Sequence, residues 1–305
     1  MATQATALAS TARRPRVKAG RILAWASLIL MLLIILVPFY WMFRTALSTN
    51  KALFANPSAF LPPEVTMVNF ARVLGMVDTQ TAMAAGGSGQ ALNFWRYLVN
   101  SVIVTGLILI GQLFFSSLAA YAFARLQFPW REQVFFVYIA ALMVPGIVTL
   151  IPNFVLIRSL NWLNTYQGII APYFLMSPFA VFFLRQFFLG INREVEEAAK
   201  IDGTSLFGIF WKIILPLSGP PLTTLAILTF ISTWNEYLWP LLIGPDDNMR
   251  VLTVALGVFR SQTPQGAPDW SGLMAGALLS ILPSLVLFFA MGRKAVDSIQ
   301  FSGYK

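Results

Sequence analysis

Residues 196–220 read EEAAKIDGTSLFGIFWKIILPLSGP, a helix-prone and partly polar segment that lies between two long apolar runs. Charge is concentrated where it begins: Glu194, Glu196, Glu197, Lys200 and Asp202 fall within nine residues of a chain that is only 11% charged. Charged groups are costly inside a bilayer. We therefore expect a membrane protein with this segment to use it outside the bilayer, against another protein.

The composition around this segment predicts an integral membrane protein. Of the 305 residues, 57% are hydrophobic, and the mean hydropathy of +0.71 is far above that of a soluble domain. A spanning helix needs about 20 apolar residues, and the absence of period-2 patterning excludes barrel strands. Six runs are long enough to be spanning helices: Ile22–Phe43, Leu98–Ala122, Val134–Ile157, Gly168–Phe188, Leu222–Ile243 and Leu273–Met291.

The first apolar run is predicted to remain in the protein as its first span. It is longer than the apolar core of a signal peptide, and Arg44–Leu47 follow it without a small-residue cleavage site. The chain has no Cys and no His, which removes disulfides, thiol nucleophiles, zinc sites and His general bases. We expect no catalytic residue, no metal and no cofactor. An intramembrane enzyme would need Ser, Asp or Glu chemistry, and no paired acidic residues occur in the spans.

The distribution of basic residues predicts the orientation. With the N-terminus in the cytoplasm, the inner segments hold twice as many Lys and Arg residues as the outer ones, as the positive-inside rule requires. Both termini and the Glu197 segment are then cytoplasmic. The net charge of +9 does not indicate nucleic-acid binding, because the basic residues sit at helix ends, where they meet anionic headgroups.

Two further regions and the positions of several prolines stand out along the chain. Residues 1–20 are predicted to be a disordered cytoplasmic arm. The outer loop, about 45–97, is too long for a simple connection, and its Gly86–Gly89 run is predicted to be flexible. Prolines in the third, fourth and sixth runs are expected to kink those helices; the kinks either help the helices to pack or bend them around a translocation path.

The opening segment is predicted to form a helix, a turn and a second helix. Asn192 is a good N-cap for a helix with acidic residues in its first turn. Asp202 and Gly203 form a turn pair, in which the glycine can take the left-handed conformation that ends a helix. Thr204 or Ser205 then caps the second helix, which ends near Pro216. An ordinary amphipathic loop at the membrane surface is the alternative.

The spacing of Glu197-Ala198-Ala199, Gly203, Ile213 and Leu215-Pro216 resembles the EAA loop of the membrane subunits of ATP-binding-cassette (ABC) importers. The carbohydrate-importer branch is also similar in five other stretches, and the closest pattern is that of the maltose-permease second-subunit type. Residues 1–20 and Met76–Ala91 depart from the family pattern. The similar stretches are Thr66–Phe70, Asn100–Ser101, Ala119–Phe128, Trp234–Pro240 and the tail Ser298–Lys305.

The resemblance implies an all-α polytopic membrane protein with six transmembrane helices of the type I ABC importer permease fold, formed by residues 21–305. The loop at about 191–216 would then be the cytoplasmic coupling helix, and the subunit itself would not be catalytic. The implied partners are a second homologous permease subunit, two ATP-binding subunits, an extracytoplasmic solute-binding protein and the lipid bilayer of the cell membrane. The implied ATPase-coupling residues are Glu196, Glu197, Ala198, Ala199, Asp202, Gly203, Ile213, Leu215 and Pro216.

The residues Trp234, Asn235, Glu236 and Tyr237 form a candidate substrate path, because carboxylate, amide and aromatic groups commonly bind sugars. An ionisable residue in an apolar span is usually functional, although Glu236 could instead be a structural polar contact or lie at the outer interface. The favoured solute is a sugar or oligosaccharide. Within the superfamily, glycerol phosphate, peptides and polyamines are alternatives. A secondary transporter is the alternative class, with Glu236 as its one candidate for ion coupling.

Overall fold

The computed structural model describes residues 19–89, 92–260 and 266–301, which form sixteen α-helices and no strand longer than the Ser48–Val65 bridge. Two 3-10 turns, Ala141–Met143 and Leu256–Arg260, and one π-helical turn, Phe210–Ile214, adjoin them. The α-helices in chain order are α1 Ala19–Ala46, α2 Asn50–Ala55, α3 Val68–Val73, α4 Thr79–Ala84, α5 Phe94–Arg125, α6 Arg131–Ala140, α7 Gly146–Ser159, α8 Tyr166–Phe174, α9 Pro178–Leu189, α10 Arg193–Ile201, α11 Leu206–Ile209, α12 Leu215–Leu217, α13 Gly219–Trp234, α14 Leu238–Ile243, α15 Leu252–Ala255 and α16 Trp270–Phe301.

The predicted all-α membrane architecture is confirmed. Four helical stretches of the described chain are long and apolar enough to cross a bilayer, namely α1, α5, the α8–α9 stretch and α16. Two further stretches pass the same test as bent pairs. One joins α6 to α7 across a bend of 98°, and the other joins α11–α12 to α13 across a bend of 78°. By length and composition, the described chain therefore has four candidate spans, or up to six if each bent pair is one span.

The third predicted run, Val134–Ile157, is divided into two helices at Val144 and Pro145. A residue before proline is pushed out of the α region, and Val144 accordingly has φ −83° and ψ 114°. Pro145 is also extended, with ψ 133°, and precedes the first residue of α7. The expected proline kink is therefore a sharp corner at this position, whereas Pro152 lies inside α7.

The fifth predicted run, Leu222–Ile243, is not one helix, which corrects the prediction. The α13 helix ends at Trp234 and α14 begins at Leu238. Pro240 has no N–H to donate to the carbonyl of Glu236, as a continuous helix would require. The hydroxyl of Thr253 donates to that carbonyl instead, at 2.9 Å.

The outer loop is folded onto the helix bundle. Asn69 is fully buried and donates to the carbonyls of Ala46 and Ser48, both at 2.8 Å. The Gly86–Gly89 run was predicted to be flexible, but it is packed: a Cβ on Gly87 would lie 2.4 Å from the guanidinium of Arg72. Residues 86–89 lie in the stretch that departs from the family pattern, Met76–Ala91, and they are therefore part of the packed structure.

The α5 helix is the centre of the fold. Its side chains take part in three buried clusters, with Tyr97 in the first, Val104 and Ile108 in the second, and Tyr121 in the third. The helix approaches α8 so closely that a Cβ on Gly111 would lie 2.4 Å from the carbonyl oxygen of Phe174. The cluster that contains Tyr121 also contains residues of the opening segment, so α5 connects that segment to the rest of the bundle.

Candidate functional site

The helix α10, Arg193–Ile201, is capped by Asn192, as predicted. The side chain of Asn192 accepts a hydrogen bond from the N–H of Glu194 at 3.1 Å and donates one to the Glu194 carboxylate at 3.0 Å. Glu194 and Glu196 occupy the first turn, where negative charge complements the helix dipole. Glu196 and Ala199 are buried, so one face of α10 is packed against the bundle while the other faces outward.

The turn after α10 has the hydrogen-bond pattern of a Schellman motif. Gly203 has φ +76°, and its N–H donates to the carbonyl of Lys200 at 3.0 Å. The N–H of Thr204 donates to Ala199 at 2.9 Å. Ser205 then caps the next helix by accepting from the N–H of Gly208 at 3.1 Å. The predicted helix–turn–helix is confirmed, with Ser205 rather than Thr204 as the second cap.

The second helix of this segment runs through α11, a π-helical turn and α12. The N–H of Leu215 donates to the carbonyl of Phe210, five residues earlier. Ser218 then donates from its hydroxyl to the carbonyl of Ile214 at 2.6 Å. The chain turns by 78° between Leu217 and Gly219. We call residues 193–217, which contain the predicted coupling residues, the coupling segment. It is a compact element set at an angle to α13.

The predicted coupling residues lie in three environments. Glu196 and Ala199 are buried, Ile213 and Leu215 are half-buried, and the remainder are exposed. The burial of Glu196 was not predicted. Its Oε1 atom lies 2.6 Å from Nε of Arg125 at the end of α5, and both side chains are 5% exposed. The exposed predicted residues are Glu197, Ala198, Asp202, Gly203 and Pro216.

The coupling segment exposes large apolar side chains as well as acidic ones. Ile201 is 87% exposed, and Phe207 and Trp211 are 61% and 51% exposed. The rings of Phe207 and Trp211 are stacked, with centroids 6.3 Å apart. Val195 and Leu206 are also exposed. We call these five residues the apolar face. Exposed apolar surface of this kind is typical of protein-interaction and membrane-interaction sites.

The second candidate region is a cavity of about 150 Å³ inside the bundle. Most of its lining is apolar, with one carboxylate, one amide, two hydroxyls and one phenol. The side-chain amide of Gln112 accepts from the hydroxyl of Thr229 at 2.9 Å. The lining residues are Val104, Ile108, Gln112, Ile169, Tyr173, Ser232, Thr233, Glu236, Trp239 and Pro240.

Glu236 is placed by the break between α13 and α14. Its Oε1 atom accepts from the N–H groups of Leu238 and Trp239 at 3.1 and 3.3 Å. Trp239 also donates from its indole to the carbonyl of Ile169 at 3.1 Å. The carboxylate therefore has backbone partners as well as a position in the cavity wall.

Glu236 is the only one of the four predicted path residues in the cavity lining of the described chain. Trp234 is buried against α16 and donates from its indole to the carbonyl of Ser280 at 3.0 Å. Asn235 is exposed and donates to Ile231 at 2.8 Å. The guanidinium of Arg260 lies over the Tyr237 ring, 5.6 Å from its centroid. Sequence reasoning missed Gln112, a polar residue within the second apolar run.

No group of three or more acidic, His or Cys side chains is placed to hold a metal ion in residues 19–89, 92–260 and 266–301.

Comparison with known proteins adds a family and several relatives. The sequence model of the family described as "Binding-protein-dependent transport system inner membrane component" matches residues 112–293. The chain is 35% identical to the sn-glycerol-3-phosphate transport system permease protein UgpE of Salmonella typhi, over 89% of this chain and 93% of that protein. It is 37% identical to the arabinooligosaccharides transport system permease protein AraQ of Halalkalibacterium halodurans, over 70% and 75% of the two chains.

A further relative and a solved structure agree with this family match. A probable ABC transporter permease protein, YurM of Bacillus subtilis, is 34% identical over 94% of this chain and 89% of its own length. Among solved structures, a chain of a bacterial ABC transporter involved in the import of the acidic polysaccharide alginate superposes with a TM-score of 0.74. That match covers 91% of this chain and 98% of that one, at 22% sequence identity, and it concerns the fold.

Proposed function

This chain belongs to the family of binding-protein-dependent transport system inner membrane components, and from that membership we propose that it is the permease subunit of an ATP-driven importer for a sugar or oligosaccharide. The observation that carries the proposal is the coupling segment, a capped helix–turn–helix with an exposed apolar face. The segment stands at an angle to α13 and is packed on the end of α5.

The coupling segment is suited to receive an ATPase subunit. Its turn is closed by backbone hydrogen bonds on both sides of Gly203, so the segment can move as a body. The exposed side chains of Glu197, Ile201 and Phe207 offer a carboxylate and apolar area to a partner. The permease itself then needs no catalytic group, because ATP hydrolysis occurs in the partner.

The cavity lining favours a neutral polyhydroxylated solute over glycerol phosphate. Among the described residues that form the wall, none is Lys or Arg, and Glu236 supplies a carboxylate. A phosphate ester would meet like charge there. Sugar hydroxyls can donate to the carboxylate and exchange hydrogen bonds with Gln112 and Ser232. The apolar face of a sugar ring can pack against the rings of Tyr173 and Trp239. We therefore favour a sugar over the solute named for the Salmonella relative.

The proposed assembly contains a second homologous permease chain, two ATP-binding subunits and an extracytoplasmic binding protein. Large apolar side chains project from α1 over most of its length, and Ile22, Ile29 and Val37 are each more than half exposed. Lipid or a second permease chain would cover them. Residues 21–305 remain the predicted permease domain. Residues 1–18 of the predicted disordered arm and residues 302–305 of the tail lie outside the described residues. The arm was predicted to reach residue 20, but Ala19 and Gly20 belong to the first turn of α1.

We propose that both termini and the coupling segment are cytoplasmic. The charge count depends on assigning each segment of the chain to the inner or the outer side of the membrane. Two contacts of basic residues support this assignment. Arg125 pairs with Glu196 in one predicted inner region. Arg96 donates to Asn248 in the predicted outer region at 2.7 Å. These two contacts lie toward opposite ends of α5.

The test is solute uptake by cells that express the importer with its neighbouring transport genes. Labelled neutral oligosaccharides and labelled sn-glycerol 3-phosphate are offered in separate assays, and the cells carry no other importer for either. We expect ATP-dependent uptake of an oligosaccharide, lost when this chain is deleted and restored when it is returned. Uptake of glycerol phosphate alone would contradict the substrate class while leaving the permease role intact.

A further inference from the structure

Two side chains at the end of α5 hold the two helices of the coupling segment. Arg125 lies with Nε 2.6 Å from Oε1 of Glu196 in α10, and its NH2 group donates to the carbonyl of Ile191 at 2.6 Å. Tyr121 donates to the carbonyl of Leu206 in α11 at 3.4 Å. Residues four apart in a helix share one face, so one face of α5 contacts both halves of the segment.

These contacts are shielded from water. Glu196 is 4% exposed and Tyr121 is 5% exposed. The Tyr121 ring lies 5.4 Å from the ring of Phe210, which is also buried. Removing one partner of a buried ion pair is strongly unfavourable because it leaves an uncompensated charge. The attachment therefore resists separation of the segment from α5.

The α5 helix is built to carry a displacement. Among the four long spanning stretches in the described chain, α5 is the only one without a proline. It runs without interruption from the attachment at Arg125 to the cavity wall at Gln112 and Val104. At about 1.5 Å per residue, Gln112 lies about 20 Å along the helix from Arg125.

The covalent connection from the segment to α13 is different. The chain turns by 78° at this junction, and the π-helical turn Phe210–Ile214 precedes it. A helix bent in this way transmits an axial displacement less directly than a straight one. The segment is thus attached to the uninterrupted helix α5 by side-chain contacts. It is joined to α13 by the chain itself, through a bend.

We propose that Arg125 and Tyr121 are positioning residues that make the coupling segment and α5 move as one body, so that a displacement of the segment reaches the cavity through α5 rather than through α13. The inference rests on the proposed function, because it takes the ATPase to act on the segment. It adds the route by which that action reaches the solute cavity.

The test measures two distances in the purified complex with its partner subunits. The chain has no Cys, so engineered cysteines are the only labelling sites within it. One spin-label pair is Arg193→Cys with Trp95→Cys, an exposed residue at the outer end of α5; the other is Arg193→Cys with Ile231→Cys, an exposed residue of α13. Distances are recorded by pulsed electron resonance without nucleotide and after trapping with ATP and vanadate.

We expect the distance from the segment to α5 to stay constant and the distance from the segment to α13 to change on trapping. A change in the first distance overturns the inference, and so does constancy of both. Failure of the ATPase subunits to co-purify with this chain would contradict the proposed function itself. The two failures are therefore distinguishable.

Two variants test the attachment by activity. Glu196→Gln keeps the side-chain shape, and the pair Arg125→Met with Glu196→Leu replaces the ion pair with apolar groups of similar volume, which can preserve folding. We expect transport to fall about tenfold in both, with co-purification of the ATPase unchanged and more ATP hydrolysed per solute moved. Glu132→Gln is the control, because Glu132 forms an ion pair with Arg185 but its side chain is 56% exposed. The inference would be overturned if both variants hydrolysed the same amount of ATP per solute moved as the parent protein does.

Discussion

Arg72 in α3 and Asp269 at the start of α16 form a buried ion pair between residues 197 positions apart in the chain. The carboxylate of Asp269 also accepts from the N–H of Ser88 at 2.8 Å and from the N–H of Gly272 at 3.0 Å. One side chain thus joins the outer loop, the glycine-rich run and the last helix. Because these contacts are buried, the long outer loop is part of the folded unit.

Arg72→Met should destabilise the protein by about 3–5 kcal/mol, because the Asp269 carboxylate would remain buried without its cation. The measurement is thermal unfolding of the purified complex in detergent. The matched control is Arg250→Met, whose partner Asp247 has a side chain that is 59% exposed. An exposed pair contributes about 0–1 kcal/mol. Equal losses of stability in the two variants would contradict the prediction.

Gly203→Pro should abolish transport while the protein still inserts into the membrane. Proline cannot take the φ of +76° at this position, and it removes the N–H that donates to Lys200. The matched control is Gly203→Asn, because asparagine tolerates the left-handed conformation and should keep most of the transport. The measurements are uptake and ATPase co-purification at equal abundance. Parental uptake by the proline variant would show that the turn is dispensable.

Glu197→Lys should also abolish transport, for a different reason. Glu197 is exposed on α10, so the substitution reverses a charge at the proposed docking surface without removing a buried contact. Binding of the ATPase subunit should weaken, while the stability should change by no more than about 0.5 kcal/mol, as is usual for surface substitutions. Unchanged ATPase binding would place the docking surface elsewhere.

Glu236→Gln should keep the fold and reduce transport. The side-chain oxygen of Gln can still accept from the N–H groups of Leu238 and Trp239, as Oε1 of Glu236 does. A carboxylate accepts stronger hydrogen bonds from sugar hydroxyls than an amide does, by roughly a factor of two. Uptake and ATPase stimulation by the loaded binding protein are measured in the assembled complex, with Glu132→Gln as the control. Full transport would indicate a purely structural contact, and failed assembly would indicate a packing role.

The proposed orientation predicts opposite labelling of two positions, Gly203 and Ala85. A cysteine at Gly203 should react with a membrane-impermeant maleimide only after the cells are opened, because the turn is exposed on the proposed cytoplasmic side. A cysteine at Ala85, next to the glycine-rich run of the outer loop, should react in intact cells. The reverse pattern would exclude docking of a cytoplasmic ATPase on the coupling segment.

The sequence by itself determined the features that depend on local physics. Apolar runs of about 20 residues identify spanning helices because the bilayer has a fixed thickness. The cap at Asn192 and the left-handed Gly203 follow from hydrogen bonds between near neighbours in the chain. The proline corner at Pro145 is local as well.

Only the tertiary structure decided which side chains face one another across the helices. Glu196 and Glu197 are adjacent and chemically identical, yet one is buried against Arg125 and the other is exposed. The cavity brings Gln112 of α5 together with Glu236, which follows α13, and the Glu236 carbonyl at this break accepts a hydrogen bond from Thr253. Such contacts join residues far apart in sequence. They depend on how each helix is rotated about its axis and on the angle at which two helices cross. The hydrophobic periodicity of a single segment specifies neither.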